Sequence, residues 1–198
     1  MRTFLQWLFE SNEKHVVFAF GRMNPPTAGH QKLVDKVHQV AKKHKANHQI
    51  VLSATHDGDK NPLPPDVKKN HAQAAFPSTN VAIATKDHPT FIHQAKQLYA
   101  RGYTHLHMVA GGDRVKEYHD TLRKYNGPGK DFNFKKIHVH SAGERDPDSD
   151  GVDGISGSKM REHARNNDFA SFAKGASSSM RKARVHDLFN DLRKHITK

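Results

Sequence analysis

The sequence predicts an α/β fold, a doubly wound sheet of five parallel strands with helices on both faces. Five short apolar segments alternate with amphipathic helical patterns along the 198 residues. The connections between successive apolar segments are long enough to hold a helix, as right-handed crossovers between parallel strands require. A chain of this length can bury a sizeable core, so we expect a single Rossmann-like unit.

The strands are expected near residues 15–20, 48–53, 80–84, 104–110 and 136–140. Residues 16–20 are all apolar, which is typical of a strand covered on both faces. The helices are expected near residues 28–45, 66–76, 89–101, 113–124, 156–166 and 179–195. The first helix has apolar residues at helical spacing on one side: Leu33, Val34, Val37, Val40 and Ala41. Ligands of such sheets bind at the carboxyl ends of the strands.

A glycine-bearing turn, residues 21–30 (GRMNPPTAGH), joins the first strand to the first helix. The first N–H groups of a helix that begins near Ala28 lack intrahelical partners, and with the helix dipole they form an anion site. Gly29 permits close backbone approach, and His30 can add a hydrogen-bond donor or a positive charge. The turn therefore predicts a phosphate site, and a plain helix cap with a surface histidine is the alternative.

The amino-acid sequence of this turn resembles the signature motif of a known family. Residues 27–30, Thr-Ala-Gly-His, are similar to the T/H-x-G-H motif of the nucleotidyltransferase superfamily, which includes nicotinamide-mononucleotide, pantetheine-phosphate and FMN adenylyltransferases and the small cytidylyltransferases. The preceding Gly-Arg-x-x-Pro most resembles the archaeal-type nicotinamide-mononucleotide adenylyltransferases, although Met23 and Asn24 stand where those often carry Phe and Gln. The resemblance implies the sheet order 3-2-1-4-5 and a nucleotide site that includes Phe20, Gly21, Arg22, Asn24 and Gly29.

A second segment, residues 155–161, resembles the distal I-S-S/G-T/S-x-x-R motif of the same superfamily. The resemblance implies that Ile155, Ser156 and Ser158 help to bind the nucleotide and that Arg161 neutralises its β- and γ-phosphates. Either serine can cap a helix whose first turn carries Arg161, which then faces the same anion as the free N–H groups. An ordinary serine-capped helix with a solvated arginine is the alternative.

Two further positions follow from the resemblance. Gly111 and Asp113 are similar to the G-x-D that follows the fourth strand in these enzymes and lines the nucleotide pocket. Asp113 could equally be an ordinary N-cap. Lys60 stands where relatives place acceptor-binding residues, and an exposed-loop lysine is the alternative.

The reaction implied by the resemblance is attack of an acceptor phosphate on the α-phosphorus of a nucleoside triphosphate, with release of pyrophosphate. His30 with Thr27 would stabilise the α-phosphate, and Mg²⁺ would bridge the phosphates. The turn favours ATP over CTP, but the acceptor and the oligomeric state stay open. The alternatives are a cytidylyltransferase, an enzyme with a macromolecular acceptor, and a DNA-associated phage internal head protein with the same fold and no turnover.

Composition excludes some kinds of functional site and favours others. The net charge of +12 attracts polyanions, whether nucleotides or non-specifically bound DNA. Cysteine is absent, which excludes disulfides, thiolate metal sites and a thiol nucleophile. The 17 histidines are scattered, and pairs such as His105 and His107 lack a carboxylate partner in sequence, so we expect no histidine–zinc site. No apolar run is long enough to span a membrane.

The acidic segment 143–154 begins like an EF-hand loop at Asp146, Asp148 and Asp150. Position twelve of such a loop would be Gly157, where a bidentate Glu is needed, and Pro147 would stiffen the loop. We expect a solvated loop before the distal motif, with calcium or a share in a magnesium shell as the alternatives.

The two ends of the chain predict separate segments. Residues 1–10 resemble the capsid-targeting leaders that a prohead protease removes from internal head proteins of tailed phages, with Leu8-Phe9-Glu10 as the cleavage pattern. The alternative is a helix packed on the domain. A removed leader would place the protein in the phage head as well as the host cytoplasm.

Residues 11–175 are expected to form the nucleotidyltransferase domain, and residues 176–198 a basic C-terminal helix packed on it. Its apolar stripe predicts core or a subunit contact in a homo-oligomer: Val185, Leu188, Phe189, Leu192 and Ile196. A membrane-surface helix would need that stripe to be exposed.

Overall fold

A single parallel sheet forms the centre of the computed structural model, which describes residues 13–143 and 155–197. Its strands are β1 His15–Gly21, β2 Asn47–Leu52, β3 Val81–Ile83, β4 His105–Ala110 and β5 Lys136–Ser141. They lie in the order β3-β2-β1-β4-β5, and each adjacent pair is parallel. The predicted fold class and the strand order implied by the family resemblance are therefore both confirmed.

Helices connect the strands and follow them. They are α1 Gly29–His44, α2 Pro65–Ala75, α3 Phe91–Ala100, α4 Val115–Lys124, α5 Gly157–Arg165, α6 Phe169–Lys174 and α7 Lys182–His195. Sequence analysis did not predict α6, a short helix capped by the Asp168 carboxylate, which accepts a hydrogen bond from the Ser171 N–H. The last helix begins at Lys182 rather than near residue 179, because a turn closed by the Met180 N–H and the Ser177 carbonyl precedes it.

The core has two halves, one on each face of the sheet. Alternate residues of β1 supply both: Val17 and Ala19 pack on one face, and Val16 and Phe18 on the other. The first half also contains buried residues of α1, α2, α5, α6 and α7. The second lies between the sheet and α3 and α4. Helices therefore cover both faces, as expected.

The C-terminal helix α7 contributes to the first half of this core. The side chains of its apolar stripe are buried: Val185, Leu188, Phe189 and Leu192, with Ile196 just beyond the helix. Each fully buried side chain of this size contributes roughly 1.5–3 kcal/mol relative to exposure. A hydrogen bond of 2.7 Å between His71 Nε2 and Asp191 Oδ2 also joins α2 to α7. The stripe is thus occupied by the domain's own core.

Two of the expectations fall outside the described residues. The leader, residues 1–10, and the acidic loop with Asp146, Asp148 and Asp150 lie outside them. Within residues 13–143 and 155–197, no helix has both the length and the apolar character needed to cross a membrane.

The expectation that the histidines are dispersed and lack a carboxylate partner is wrong. The sheet brings six of them together: His15, His44, His105, His107, His138 and His140. Glu13 lies beside two of these, at 3.5 Å from His15 and 3.8 Å from His105. Linear spacing hid the cluster because strands adjacent in the sheet are far apart in sequence.

Candidate functional site

The turn after β1 is held in place by the loop that follows β2. Asn24 is buried, and its side-chain amide donates to the Leu63 carbonyl while its side-chain carbonyl accepts from the Leu63 N–H, both at 3.1 Å. Met23 has a positive φ of 40°, and the Asn24–Pro25 peptide is cis. Arg22, the second residue of this turn, is exposed. The side chain of Asn24 therefore fixes the turn, and its use by a nucleotide stays a prediction.

Thr27 and His30 form a local unit at the start of α1. The Thr27 backbone N–H donates to His30 Nδ1 at 3.0 Å, and the Thr27 hydroxyl lies 2.9 Å from the same nitrogen. Because Nδ1 accepts a hydrogen bond, the proton of the neutral ring is on Nε2. Thr27 thus sets the tautomer and the orientation of the imidazole.

The N-terminus of α1 itself carries no side-chain cap and no acidic residue in its first turn. Its partial positive charge is therefore not offset by its own first turn. Gly29, the first residue of the helix, is only partly buried, and Phe20 and Gly21 at the end of β1 are also partly buried. These backbone groups lie at the carboxyl edge of the sheet, where ligands of such folds bind.

The distal motif begins α5 as expected. Ser156 is the N-cap, and its hydroxyl accepts a hydrogen bond of 3.2 Å from the Lys159 N–H. Ser158 and Arg161 follow in the first turns, and Ile155 packs against the core just before the cap. Of the two serines that could cap the helix, Ser156 does so. The Ser158 hydroxyl instead accepts a hydrogen bond from Arg161.

The turn that precedes the first motif is in direct contact with the distal motif. Arg161 donates from Nη1 to the Asn24 carbonyl at 2.8 Å and from Nη2 to the Ser158 hydroxyl at 3.0 Å. A Cβ on Gly157 would lie 3.7 Å from that carbonyl and 3.8 Å from Pro25 Cδ. Although 137 positions separate Arg161 from Asn24, the guanidinium bridges both segments. The starts of α1 and α5 therefore share one site.

A buried lysine that sequence analysis missed adds to this site. Lys68, in α2, is fully buried and donates from Nζ to the Ser53 carbonyl at 2.5 Å, just beyond the end of β2. Burial and then the nearby Arg22 lower the pKa of Lys68 to about 8. No described carboxylate forms an ion pair with its ammonium. A buried charge without a counterion is costly and favours binding of an anion.

Its position gave no sequence signal, because Lys68-Lys69 looks like one of several exposed basic pairs. Only the packing of α2 onto β2 separates Lys68, which is buried, from Lys69, which is exposed.

Positive charge also concentrates around Arg161. Burial, followed by repulsion from Arg22 and Arg165, lowers the pKa of its guanidinium, while Asp59 and Asp57 oppose that shift. Arg165 itself donates to Asp59 at 2.6 Å. Three basic side chains, Arg22, Lys68 and Arg161, thus interact electrostatically at the carboxyl edge, a field that suits a polyphosphate.

Lys60 lies in a loop held together by Asp57. One carboxylate oxygen of Asp57 accepts hydrogen bonds from the backbone N–H groups of Asp59, Lys60 and Asn61. The hydrogen bond from the Asn61 side-chain amide, together with these backbone bonds, lowers the pKa of Asp57. The side chain of Lys60 is exposed. Because Arg165 pairs with Asp59, the loop is tied to α5 and stands beside the site.

The G-x-D segment lies at the end of β4, the strand next to β1. Gly111 precedes a single 3₁₀ turn, Gly112–Arg114, and no side chain caps that turn. Asp113 lies inside the turn, so the alternative that it is the N-cap is wrong. Its exposed carboxylate is 3.7 Å from Arg114 Nε. The structure places Gly111 and Asp113 at the same edge of the sheet as the two motifs.

One groove lies away from this site. It has a volume of about 340 Å³ and is lined by α2 and α7, including His71 and Asp191. None of the predicted site residues lines it. The candidate site at the carboxyl edge is therefore separate from this groove.

No known family model and no curated protein sequence matches this chain. Solved structures do: 25 chains are similar to it. One is TmcAL of Thermotoga maritima, crystallised with alpha-thio ATP, with a TM-score of 0.54 and 10% sequence identity. The similarity covers 91% of this chain and 56% of TmcAL, so this chain spans about half the length of that protein. At this identity the likeness supports the fold alone.

Proposed function

We propose that this chain is a nucleotidyltransferase that transfers a nucleoside monophosphate from a triphosphate to a phosphorylated acceptor. The observation that supports this most directly is the Arg161 guanidinium, which bridges the Asn24 carbonyl and the Ser158 hydroxyl. It joins two segments that each resemble a phosphate-binding motif of one superfamily. A chance resemblance of both segments would not require them to meet.

The chemistry needs no covalent nucleophile. Two polyanions held in line, with their developing charge offset by preorganised donors, can supply most of the rate. His30 Nε2 donates to the α-phosphate as charge builds there, and Thr27 holds the ring in that tautomer. The N-terminus of α1 adds the positive end of its helix dipole, because the N–H groups of Ala28, His30 and Gln31 already donate to carbonyl groups.

The leaving pyrophosphate lies against the start of α5. Ser156, Ser158 and Arg161 bind the β- and γ-phosphates, and Lys68 and Arg22 add positive charge from the β2 side. Bound phosphate gives the buried ammonium of Lys68 the counterion that the described residues do not supply. Binding of the phosphates thereby also neutralises the positive charge of these side chains at the carboxyl edge of the sheet.

Magnesium belongs to this proposal as part of the substrate. The described groups of three or more metal-ligating side chains lie at the opposite edge of the sheet, and the site here is lined by cations. The residues described therefore do not fit a protein-held magnesium cage. Mg²⁺ would arrive on the triphosphate oxygens, which are its usual ligands in such reactions.

The nucleotide we favour is ATP. The Gly-Arg-x-x-Pro of the turn, Gly21 to Pro25, leans toward adenylyltransferases, and the structurally similar TmcAL was crystallised with an ATP analogue. A phosphorylated small molecule fits the acceptor side, where exposed Lys60 stands in the loop tied to α5. Cytidylyl transfer is the alternative within the same reaction class.

The test is pyrophosphate release by the full chain with each of the four common nucleoside triphosphates and a panel of phosphorylated acceptors, with Mg²⁺ present. We expect one triphosphate, ATP, to give turnover with one acceptor class. The His30→Ala variant should lose that turnover, while His93→Ala, on the helix α3 across the sheet, should keep it.

A second candidate is favoured by the net charge of +12. A DNA-associated protein of the same fold would bind duplex DNA with a steep salt dependence and release no pyrophosphate. Turnover in none of the combinations, together with salt-sensitive DNA binding, would replace the enzyme proposal with this one.

A further inference from the structure

The face of β1, β4 and β5 that lies under the last turn of α1 carries an unusual set of side chains. Six histidines meet there, and we call them the histidine cluster: His15, His44, His105, His107, His138 and His140. None of them takes part in the proposed transfer reaction. They come from β1, β4, β5 and the last residue of α1.

Strand register explains the convergence. In the parallel pairing His15 is opposite His105, and His107 is opposite His138. Side chains two apart on a strand share a face, so His105 and His107 lie on one side, as do His138 and His140. That side is the one covered by α1, whose last turn brings His44 onto His107 with ring centroids 4.3 Å apart.

Three of these imidazoles have the geometry of a metal site. His15, His44 and His107 each offer one nitrogen, and the three nitrogens lie within 4.8 Å of one another. Of these, His15 Nδ1 and His107 Nε2 are 3.0 Å apart. Tetrahedral zinc with Zn–N bonds of about 2.0–2.1 Å needs nitrogens about 3.4 Å apart. Small side-chain rotations therefore reach that arrangement.

We propose that His15, His44 and His107 bind a divalent transition-metal ion, with Zn²⁺ as the best chemical fit. Imidazole nitrogen suits Zn²⁺, Ni²⁺ and Cu²⁺ and not Mg²⁺ or Ca²⁺. Three protein nitrogens leave a fourth position for water or an external ligand.

The neighbours of the proposed ligands support the assignment. His107 Nδ1 is 3.0 Å from His140 Nε2, so His107 can donate there while Nε2 faces the metal. His15 Nε2 is 3.5 Å from a Glu13 carboxylate oxygen, which leaves Nδ1 for the metal. Metal-bound histidines usually direct their second N–H to such an acceptor, which orients the ring and raises its basicity.

Burial is graded across the three ligands. His107 is 1% exposed, whereas His15 and His44 are only partly buried. An ion can therefore enter from the α1 side and be held by a ligand that packing has already fixed. Lys43 lies close enough to His44 to repel a cation there, and at His105 the carboxylate of Glu13 opposes the repulsion from Lys136.

A second group of three overlaps the first and provides an internal control. Glu13, His15 and His105 also offer ligand atoms within 4.8 Å of one another. The two groups share only His15. Replacing His44 therefore tests binding at the first group, and replacing His105 tests binding at the second.

The experiment is titration of the full, metal-free chain, prepared without a histidine tag, with Zn²⁺ by calorimetry and with Co²⁺ by visible absorption. The wild type should bind one ion per chain, and Co²⁺ should give the intense bands of a tetrahedral site. His44→Asn, at the partly exposed end of α1, should weaken binding at least tenfold. Glu13→Gln should weaken it roughly tenfold, the scale for a lost outer partner.

His93→Asn, in α3 on the other face, is the matched control and should bind as the wild type does. Thermal unfolding of each variant without metal shows that it is folded, and only folded variants are compared. Absence of stoichiometric binding, equal affinity in His44→Asn and the wild type, or a loss in His105→Asn without one in His44→Asn would each overturn the proposal. Pyrophosphate release is not used as the readout, so failure here leaves the proposed transfer reaction unaffected.

Discussion

The two edges of one sheet carry opposite kinds of polar group. At the carboxyl edge, basic side chains lie close together: Arg22 repels both Lys68, which is buried, and Arg161. Toward the amino ends of β1 and β4, and along the neighbouring strand β5, imidazoles replace them. Burial with neighbouring histidines lowers the pKa of His107 to about 3 and that of His140 to about 4. The first region carries positive charge that favours binding of an anion. The second carries neutral imidazole nitrogens whose lone pairs can bind a metal ion.

The difference follows from the helix ends that lie at each edge of the sheet. Strands of a parallel sheet end at a row of turns and helix N-termini, whose N–H groups and dipoles already favour anions. Strands begin beneath helix C-termini, such as the end of α1, where the dipole favours a cation. The same architecture thus prepares one edge for phosphate and the other for a positively charged ligand.

The largest expected effect separates catalysis from binding at the carboxyl edge. Replacing His30 by Ala removes a donor whose partner charge develops in the transition state, so kcat should fall roughly a hundredfold or more. Triphosphate affinity should change little. Steady-state kinetics and calorimetric titration measure the two effects, with His93→Ala as the control. Wild-type turnover in the variant would remove His30 from the mechanism.

A smaller effect is expected at Arg161. Lysine keeps the charge but cannot bridge the Asn24 carbonyl and the Ser158 hydroxyl at once, so Arg161→Lys should weaken triphosphate binding about tenfold. Monophosphate binding should be nearly unchanged, because the arginine is assigned to the β- and γ-phosphates. Arg184→Lys, on the surface of α7, is the matched control. Equal losses for both nucleotides would contradict that assignment.

Replacing Lys68 should improve stability and impair binding. The fall of its pKa from 10.5 to about 8 corresponds to about 3 kcal/mol of unfavourable burial. Lys68→Met removes this cost but leaves the Ser53 carbonyl unpaired, at about 1–2 kcal/mol. We expect a net gain of about 1–2 kcal/mol in the free energy of unfolding, or a few degrees in Tm, and weaker triphosphate binding. A variant that binds triphosphate as tightly as the wild type would exclude Lys68 from the site.

The same lysine gives a pH dependence with a defined sign. Between about pH 8 and pH 10.5 the unfolded chain keeps the Lys68 proton while the folded chain loses it, so the stability of the wild type rises relative to Lys68→Met. Below pH 8 both states hold the proton and the full penalty remains. Unfolding of both proteins in urea from pH 7 to 10 measures the difference. A difference that is constant with pH would show that the pKa of Lys68 is not lowered.

The smallest effect is expected from removal of residues 1–10. If they are a leader that ends at Glu10, the truncated chain should keep its Tm, since a short terminus stabilises a fold only where it is packed down. Mass spectrometry of the protein from mature virions would show a chain that starts at Ser11. A full-length chain in virions, or a truncated chain that melts far below the intact one, would favour a packed helix instead.

Much of the carboxyl edge was predictable because its signals are local. The apolar run 16–20 and the helical spacing of Val34, Val37 and Val40 define a strand followed by a helix, and the structure has β1 and α1 there. Ser156 was one of two expected caps, and it caps α5. Such features depend on residues within one or two turns of each other, so the linear pattern suffices.

Sequence alone determined the five strands, the helices other than α6, the fold class and the two motif segments, because backbone propensity and apolar periodicity act over short stretches of chain. Tertiary structure decided which of the paired lysines, Lys68 or Lys69, is buried, and it joined Arg161 to Asn24 across 137 positions. It also turned scattered histidines into the histidine cluster. Parallel strand pairing places residues such as His15 and His107 in contact whatever their separation in sequence, and burial then changes their chemistry.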